Sequence, residues 1–153
     1  MATDIAQSDV RGVFKQYHVR YEVRPYYVVW EQRPDGGPPS DRRIQAGFDI
    51  DLFGTLEKME LSRKDHEEGA IVIGYFEALA REVQSKVGQS CTVEVLSYPD
   101  TVMLDTHAHL QPEAMLTIRI SHCRGFDQPK GPAEEQALKA IQDKLHEFGA
   151  RQV

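Results

Sequence analysis

Apolar and polar residues alternate through residues 44–53, and this period of two predicts a strand with one covered face. The apolar side is formed by Ile44, Ala46, Phe48, Ile50 and Leu52. A strand that buries only one face is typical of an antiparallel sheet. The aromatic and β-branched residues of 21–31 predict a strand before it, and the Pro-, Asp- and Gly-rich residues 34–43 predict a mobile hairpin loop between the two.

Alternation returns in the second half of the chain, where strands are predicted at residues 92–96, 101–110 and 115–122. Prolines and their polar neighbours separate these segments and predict turns between them. The apolar sides are expected to face the same core as residues 44–53. The polar sides gather imidazoles, carboxylates and a guanidinium, so this polar face is the candidate place for chemistry.

Two later stretches place apolar residues at helical spacing. The first helix is predicted to begin with Ser62 as its N-cap and to end at Gly88. Its apolar stripe comprises Val72, Phe76, Leu79, Ala80, Val83 and Val87. The second helix is predicted to begin at Gly131 and Pro132 and to end at Gly149. Its stripe comprises Leu138, Ile141, Leu145 and Phe148.

The two ends of the chain have weaker patterns. Residues 1–20 form an N-terminal segment that is either a short amphipathic helix or partly disordered. The helical alternative rests on the spacing of Val10, Val13, Phe14 and Tyr17. Residues 150–153 are predicted to be a tail.

The order of these elements, ββ-α-βββ-α, predicts an α+β fold in a single domain, residues 1–153. Two helices with one apolar stripe each can cover one face of a sheet. The expected architecture is therefore a two-layer sandwich, in which an antiparallel sheet of about five strands carries both helices on one face. The other sheet face must meet water, a ligand or another chain.

Composition and charge exclude several classes of protein. The hydrophobic fraction of 41% and the charged fraction of 27% are ordinary for a globular protein. A net charge of −6 argues against a broad nucleic-acid surface, which needs clustered basic residues. Two cysteines are too few for a disulfide framework, and neither a signal peptide nor a membrane span is recognisable, so a cytoplasmic protein is expected.

Asp105, His107 and His109 have the spacing of metal ligands. An H-x-H pair on a strand projects both imidazoles to one side, where they can bind a divalent metal such as zinc, iron or manganese. Asp105 on the same side is either a third ligand or a group that orients the ligands through hydrogen bonds. Locally the segment resembles the D-T-H-x-H segment of amidohydrolases. Their (β/α)₈ barrel needs about 250 residues in alternating β/α units, which this chain lacks, so only the spacing is shared. Alternatively, the histidines are surface residues or cross-strand partners of Thr117 and Arg119.

Asp49 and Asp51 place two carboxylates on the polar side of the strand at 44–53. Paired carboxylates can bind a divalent ion or serve as a general base. Together with the H-x-H ligands they would make a small metal-dependent, hydrolase-like enzyme. The alternative is that the two residues belong to an exposed polar strand face.

Tyr26, Val28 and Trp30 share one face of the first strand, and its other face is apolar as well. Because two helices cover only one side of the sheet, the second apolar face calls for a partner chain or for the N-terminal segment. The leading interpretation is a domain that acts through self-association, as a symmetric homodimer, or through partner binding on this face. A further alternative is a small-ligand pocket lined by Tyr75, Phe48 and Trp30.

Overall fold

The computed structural model describes residues 7–30, 42–54, 67–88, 91–97, 116–122 and 131–153. Three helices and five strands lie within these ranges. The helices are α1 (Gln7–Tyr17), α2 (Glu67–Val87) and α3 (Pro132–Glu147). The strands are β1 (Arg20–Trp30), β2 (Arg42–Phe53), β3 (Cys91–Ser97), β4 (Leu116–His122) and β5 (Arg151–Gln152). The predicted α+β fold is confirmed.

The strands form one sheet in the order β3-β4-β2-β1-β5. Neighbours are antiparallel except for β1 and β5, which are parallel. Strand β2 is central, and its Ile50 pairs with Val23 of β1 and with Ile118 of β4. Directly paired residues point to the same face, so the apolar sides of these three strands coincide.

All three described helices pack on this apolar face. The ring of Phe14 in α1 stacks on Phe76 of α2, with 6.0 Å between centroids, and meets Phe148, just after α3, at 5.6 Å. The predicted helical spacing in the N-terminal segment is confirmed, because Val10, Val13, Phe14 and Tyr17 are its buried residues. The alternative that this segment folds over the opposite sheet face is wrong, since its apolar stripe belongs to the helical layer.

The ends of α3 follow the sequence signals. Gly131 is the N-cap, Pro132 is the first helical residue, and the side chain of Glu134 accepts a hydrogen bond from the Gly131 backbone N–H at 3.2 Å. Gly149 has a φ of 91°, the left-handed conformation that ends a helix at little cost only with glycine. The chain therefore turns sharply there and enters β5.

A β-bulge interrupts the alternation of β2. Tyr26 pairs with Gly47 and Tyr27 with Gln45, so Ala46 is the extra residue. A Cβ on Gly47 would lie 1.7 Å from the carbonyl oxygen of Ile120, which means that β4 approaches β2 too closely for any side chain at this position. The strict alternation predicted for 44–53 holds only beyond the bulge.

Two predicted boundaries are wrong. Residues 151–152, predicted as tail, form β5, and the Val153 N–H donates a hydrogen bond of 2.7 Å to the Tyr21 carbonyl. Arg42 and Arg43, predicted at the end of the loop 34–43, pair with Trp30 and Val29. The rest of that loop, Ser62 and the predicted strand 101–110 lie outside the described residues.

None of the described helices is long and apolar enough to cross a membrane.

Candidate functional site

The sheet face opposite the helices carries a network of ion pairs across its three middle strands. Asp49 of β2 pairs in register with Arg24 of β1 on one side and with Arg119 of β4 on the other. Arg119 makes a bidentate interaction, in which Nε donates to Oδ1 and Nη2 to Oδ2 of Asp49, both at 2.9 Å. Nη2 of Arg24 lies 3.7 Å from the Oδ2 atom of Asp49.

Asp51 completes the network one pair further along β2. Its Oδ2 accepts a hydrogen bond from Nε of Arg24 at 2.5 Å, and its Oδ1 accepts one from the Thr117 hydroxyl at 2.6 Å. The exposed fraction is 0% for Asp51 and 2% for Asp49. The expectation that these carboxylates form an exposed polar face is therefore wrong. Burial is tolerated because each carboxylate is matched by guanidinium groups.

The arginines of the network are held in their charged form. Burial by itself would lower the pKa of Arg119, but the hydrogen bonds and charge of Asp49 outweigh it and raise this pKa above its usual value. The pKa of Arg24 is raised in the same way, with Asp51 outweighing burial. The Cζ atom of Arg119 also lies 4.0 Å from the centroid of the Tyr26 ring, a cation–π contact.

This geometry makes Asp49 and Asp51 counter-ions of two arginines. A general base or metal ligand needs lone pairs that are free to accept a proton or an ion, and each of these carboxylates already accepts at least two hydrogen bonds from guanidinium or hydroxyl groups. No group of three or more His, Cys, Asp or Glu residues suited to a metal is found in the described ranges. Asp105, His107 and His109 lie outside those ranges. The metal-dependent chemistry assigned to these residues stays a prediction.

The residues of the predicted association surface are placed in part. Tyr26 lies on the polar sheet face, over Arg119. Val28 and Trp30 belong to β1, but their side chains are outside the described set. Self-association through these residues stays a prediction. Of the predicted ligand pocket, Tyr75 is buried against Phe148, with 5.1 Å between ring centroids, and Phe48 is half-buried in β2.

A different site lies where the ends of α1 and α3 meet the edge of the sheet. It is a groove of about 740 Å³. We call it the basic groove. Phe14, Val19 and Phe148 supply its apolar part. The charged residues and the histidine that line it are Arg11, Lys15, His18, Arg20, Glu147 and Arg151.

The charges of the basic groove do not balance. Four arginine or lysine side chains face one carboxylate, that of Glu147, although the whole chain has a net charge of −6. Arg11 Nη2 lies 3.8 Å from Oε1 of Glu147, and about half of each side chain is exposed. Within the part of the chain that the structure describes, Lys15, Arg20 and Arg151 take part in no ion pair.

Local backbone structure brings these residues together. After α1, the N–H of Val19 donates to the Phe14 carbonyl at 3.0 Å, and His18 adopts a positive φ of 50°. After α3, the N–H of Ala150 donates to the Leu145 carbonyl at 2.9 Å. Each turn directs the chain straight into a strand, β1 or β5.

Cations near a helix C-terminus are often present only to complement the helix dipole. Lys15 lies in the last turn of α1 and fits that role. Arg20 and Arg151 lie in strands, where the dipole does not account for them. Complementing the helix dipole therefore does not account for all of the excess positive charge in the groove.

Sequence reasoning missed this groove. The signal within α1 was present, since Arg11 and Lys15 lie four residues apart and share one face of the helix. Arg151 was predicted to lie in a tail. It lies next to Arg20 only because β5 pairs with β1, and most of the chain separates these two strands in sequence. No protein-family model, no curated protein and no solved structure matches the chain.

Proposed function

We propose that this chain binds a small anionic molecule with an apolar portion in the basic groove. One observation carries the proposal: Lys15, Arg20 and Arg151, for which no ion pair is found among the described residues, line one groove with aromatic and aliphatic side chains in a chain of net negative charge. An acidic group of the ligand would compensate Lys15, Arg20 and Arg151. Its hydrocarbon part would cover Val153, which is 70% exposed, and the small exposed parts of Phe14 and Phe148.

The size of the groove supports a discrete molecule. Sites for small ligands typically measure about 300–1,000 Å³ and combine apolar walls with a few polar groups. The basic groove, at about 740 Å³, falls within this range. A concave site of this kind fits a single amphipathic anion better than it fits the flat surface of a membrane.

The lining residues are suited to recognising an anion. Cationic donors and aromatic rings are present, together with the side chains of His18 and Glu147. Arginine is suited to recognising planar or tetrahedral anions, because its N–H groups can donate two parallel hydrogen bonds.

The test is a calorimetric titration with octyl phosphate and, separately, with its two halves, octanol and inorganic phosphate. We expect octyl phosphate to bind at least about tenfold more tightly than either half, since only the whole molecule uses both parts of the groove. Lys15→Gln should weaken binding about three- to tenfold through loss of one charged partner. Higher salt should weaken it as well.

Lys139→Gln is the matched control, because it removes the same charge from an exposed position on α3 that does not line the groove. Equal affinities of Lys15→Gln and Lys139→Gln for octyl phosphate would refute the proposal, as would absence of binding to the wild-type chain. Co-sedimentation with phosphatidylglycerol–phosphatidylcholine vesicles, without binding of free octyl phosphate, would show a membrane-surface site and would also overturn it.

A further inference from the structure

Two like charges are paired in register at one wall of the basic groove. Arg20 of β1 and Arg151 of β5 are direct partners in the parallel ladder. Side chains of direct partners lie on the same face, a few ångströms apart, and like charges in this arrangement destabilise the pairing. Both residues line the groove.

Nothing described in the structure neutralises this pair. Arg20 makes a cation–π contact, with its Cζ atom 5.5 Å from the centroid of the Phe53 ring, and no ion pair is found for either arginine among the described residues. An aromatic ring attracts a cation but does not cancel the repulsion between two cations. Among the described residues, no carboxylate forms an ion pair with either guanidinium group.

Strand β5 is held to the sheet by few interactions. It pairs with β1 at two positions only. The Val153 N–H donates to the Tyr21 carbonyl, and the Tyr21 hydroxyl lies 3.4 Å from Oε1 of Gln152 and 2.5 Å from Nε2 of His146. A strand held by so few interactions is sensitive to a weak repulsion at its first residue.

We infer that the acidic group bound in the groove is a dianion of the phosphate-monoester type, that it bridges Arg20 and Arg151, and that its binding tightens the docking of β5 on β1. The inference rests on the proposed function and specifies its ligand class. A phosphate monoester carries nearly two negative charges and has three oxygens that accept hydrogen bonds, enough for both guanidinium groups at once.

The first test compares octyl phosphate with octyl sulfate at pH 8. The two ligands have the same alkyl chain, but octyl phosphate carries a charge close to −2 and octyl sulfate a charge of −1. We expect the wild-type chain to prefer octyl phosphate about tenfold. In Arg20→Gln and in Arg151→Gln this preference should fall to about twofold or less, while octyl sulfate is still bound. Lys139→Gln should keep the full preference.

The second test follows the exchange rate of the Val153 backbone amide by NMR. Octyl phosphate should slow this exchange in the wild-type chain. Without ligand, Arg151→Gln should slow it about two- to fivefold, because the repulsion is gone, and octyl phosphate should then add little. This pattern distinguishes an electrostatic coupling from a simple loss of structure, which would accelerate exchange.

The outcomes separate the two proposals. If octyl phosphate does not bind, the proposed function fails and this inference fails with it. If octyl phosphate binds but is not preferred over octyl sulfate, or leaves the exchange of Val153 unchanged, the groove is a binding site and the bridging of Arg20 and Arg151 is refuted. Preference together with slower exchange supports both.

Discussion

The polar sheet face and the basic groove use the same residue type in opposite ways. On the sheet face, Arg24 and Arg119 meet two carboxylates at distances of 2.5 to 3.7 Å. In the groove, Arg20 and Arg151 pair in register on adjacent strands, and no ion pair is found for either among the described residues. The charges of the first region are balanced within the chain. The second region has an excess of positive charge.

Burial explains why the two regions differ. A charge removed from water must be paired, since an uncompensated buried ion costs several kcal/mol. Arg119 is 4% exposed and has its partner in place. An exposed cation remains hydrated, so it can lack an ion-pair partner at little cost to the stability of the protein. Complete pairing therefore indicates a structural role here, whereas an excess of one charge at the surface indicates binding.

The largest effect should come from removing one member of the buried network. We expect Asp49→Asn to lower the free energy of unfolding by about 3–5 kcal/mol, because it leaves Arg119 buried without its counter-ion. Urea denaturation measures the change. The matched control is Asp143→Asn, which breaks an exposed pair with Lys139 and should cost less than about 1 kcal/mol. A cost for Asp49→Asn as small as that of the control would mean that the sheet face is not a closed network.

A smaller change in stability is expected from replacing two glycines, Gly47 in the sheet and Gly12 in α1. Gly47→Ala on the sheet side should destabilise the protein by about 1–3 kcal/mol, because β4 has no room for the new methyl group. Gly12→Ala in α1, on the helix that borders the groove, meets no atom within 4 Å and should stabilise it by about 0.5–1 kcal/mol. Thermal unfolding of both variants checks the signs. A Gly47→Ala variant no less stable than the wild type would contradict the tight packing at the bulge.

The smallest effect should come from Glu147, the acidic side chain that lines the groove. Its pairs with Arg11 and Lys144 are exposed, so Glu147→Gln should change the stability by less than about 1 kcal/mol. The same substitution should raise the affinity for octyl phosphate about two- to fivefold, since Arg11 is released and the groove becomes more positive. Weaker binding after this substitution would show that Glu147 itself contacts the ligand.

Elements encoded by local signals could be predicted from the sequence. Strand β2 follows from its alternation, and α3 follows from Pro132, its apolar stripe and Gly149. The two-layer arrangement follows because single apolar stripes must be buried against one sheet face. These features depend on residues that are close in the chain.

Features that depend on strand order could not be predicted in this way. The sequence shows Asp49 and Asp51 on one side of a strand, but only the order β4-β2-β1 reveals that arginines flank them. Strand β5 has two residues and no pattern of its own, so it is defined solely by its partner. The groove was missed for the same reason, because Arg20 and Arg151 are distant in sequence.

The placement of β5 has a consequence for how the molecule is assembled. Tyr21 and Gln152, which pair across β1 and β5, are separated by 131 residues, so closing this ladder encloses nearly the whole chain. Contacts over such distances cost the most loop entropy and tend to form late. The helices and the antiparallel strands can therefore form before β5 adds Arg151 to the lining of the groove. The anion site proposed above would therefore be completed late in folding, when β5 docks on β1.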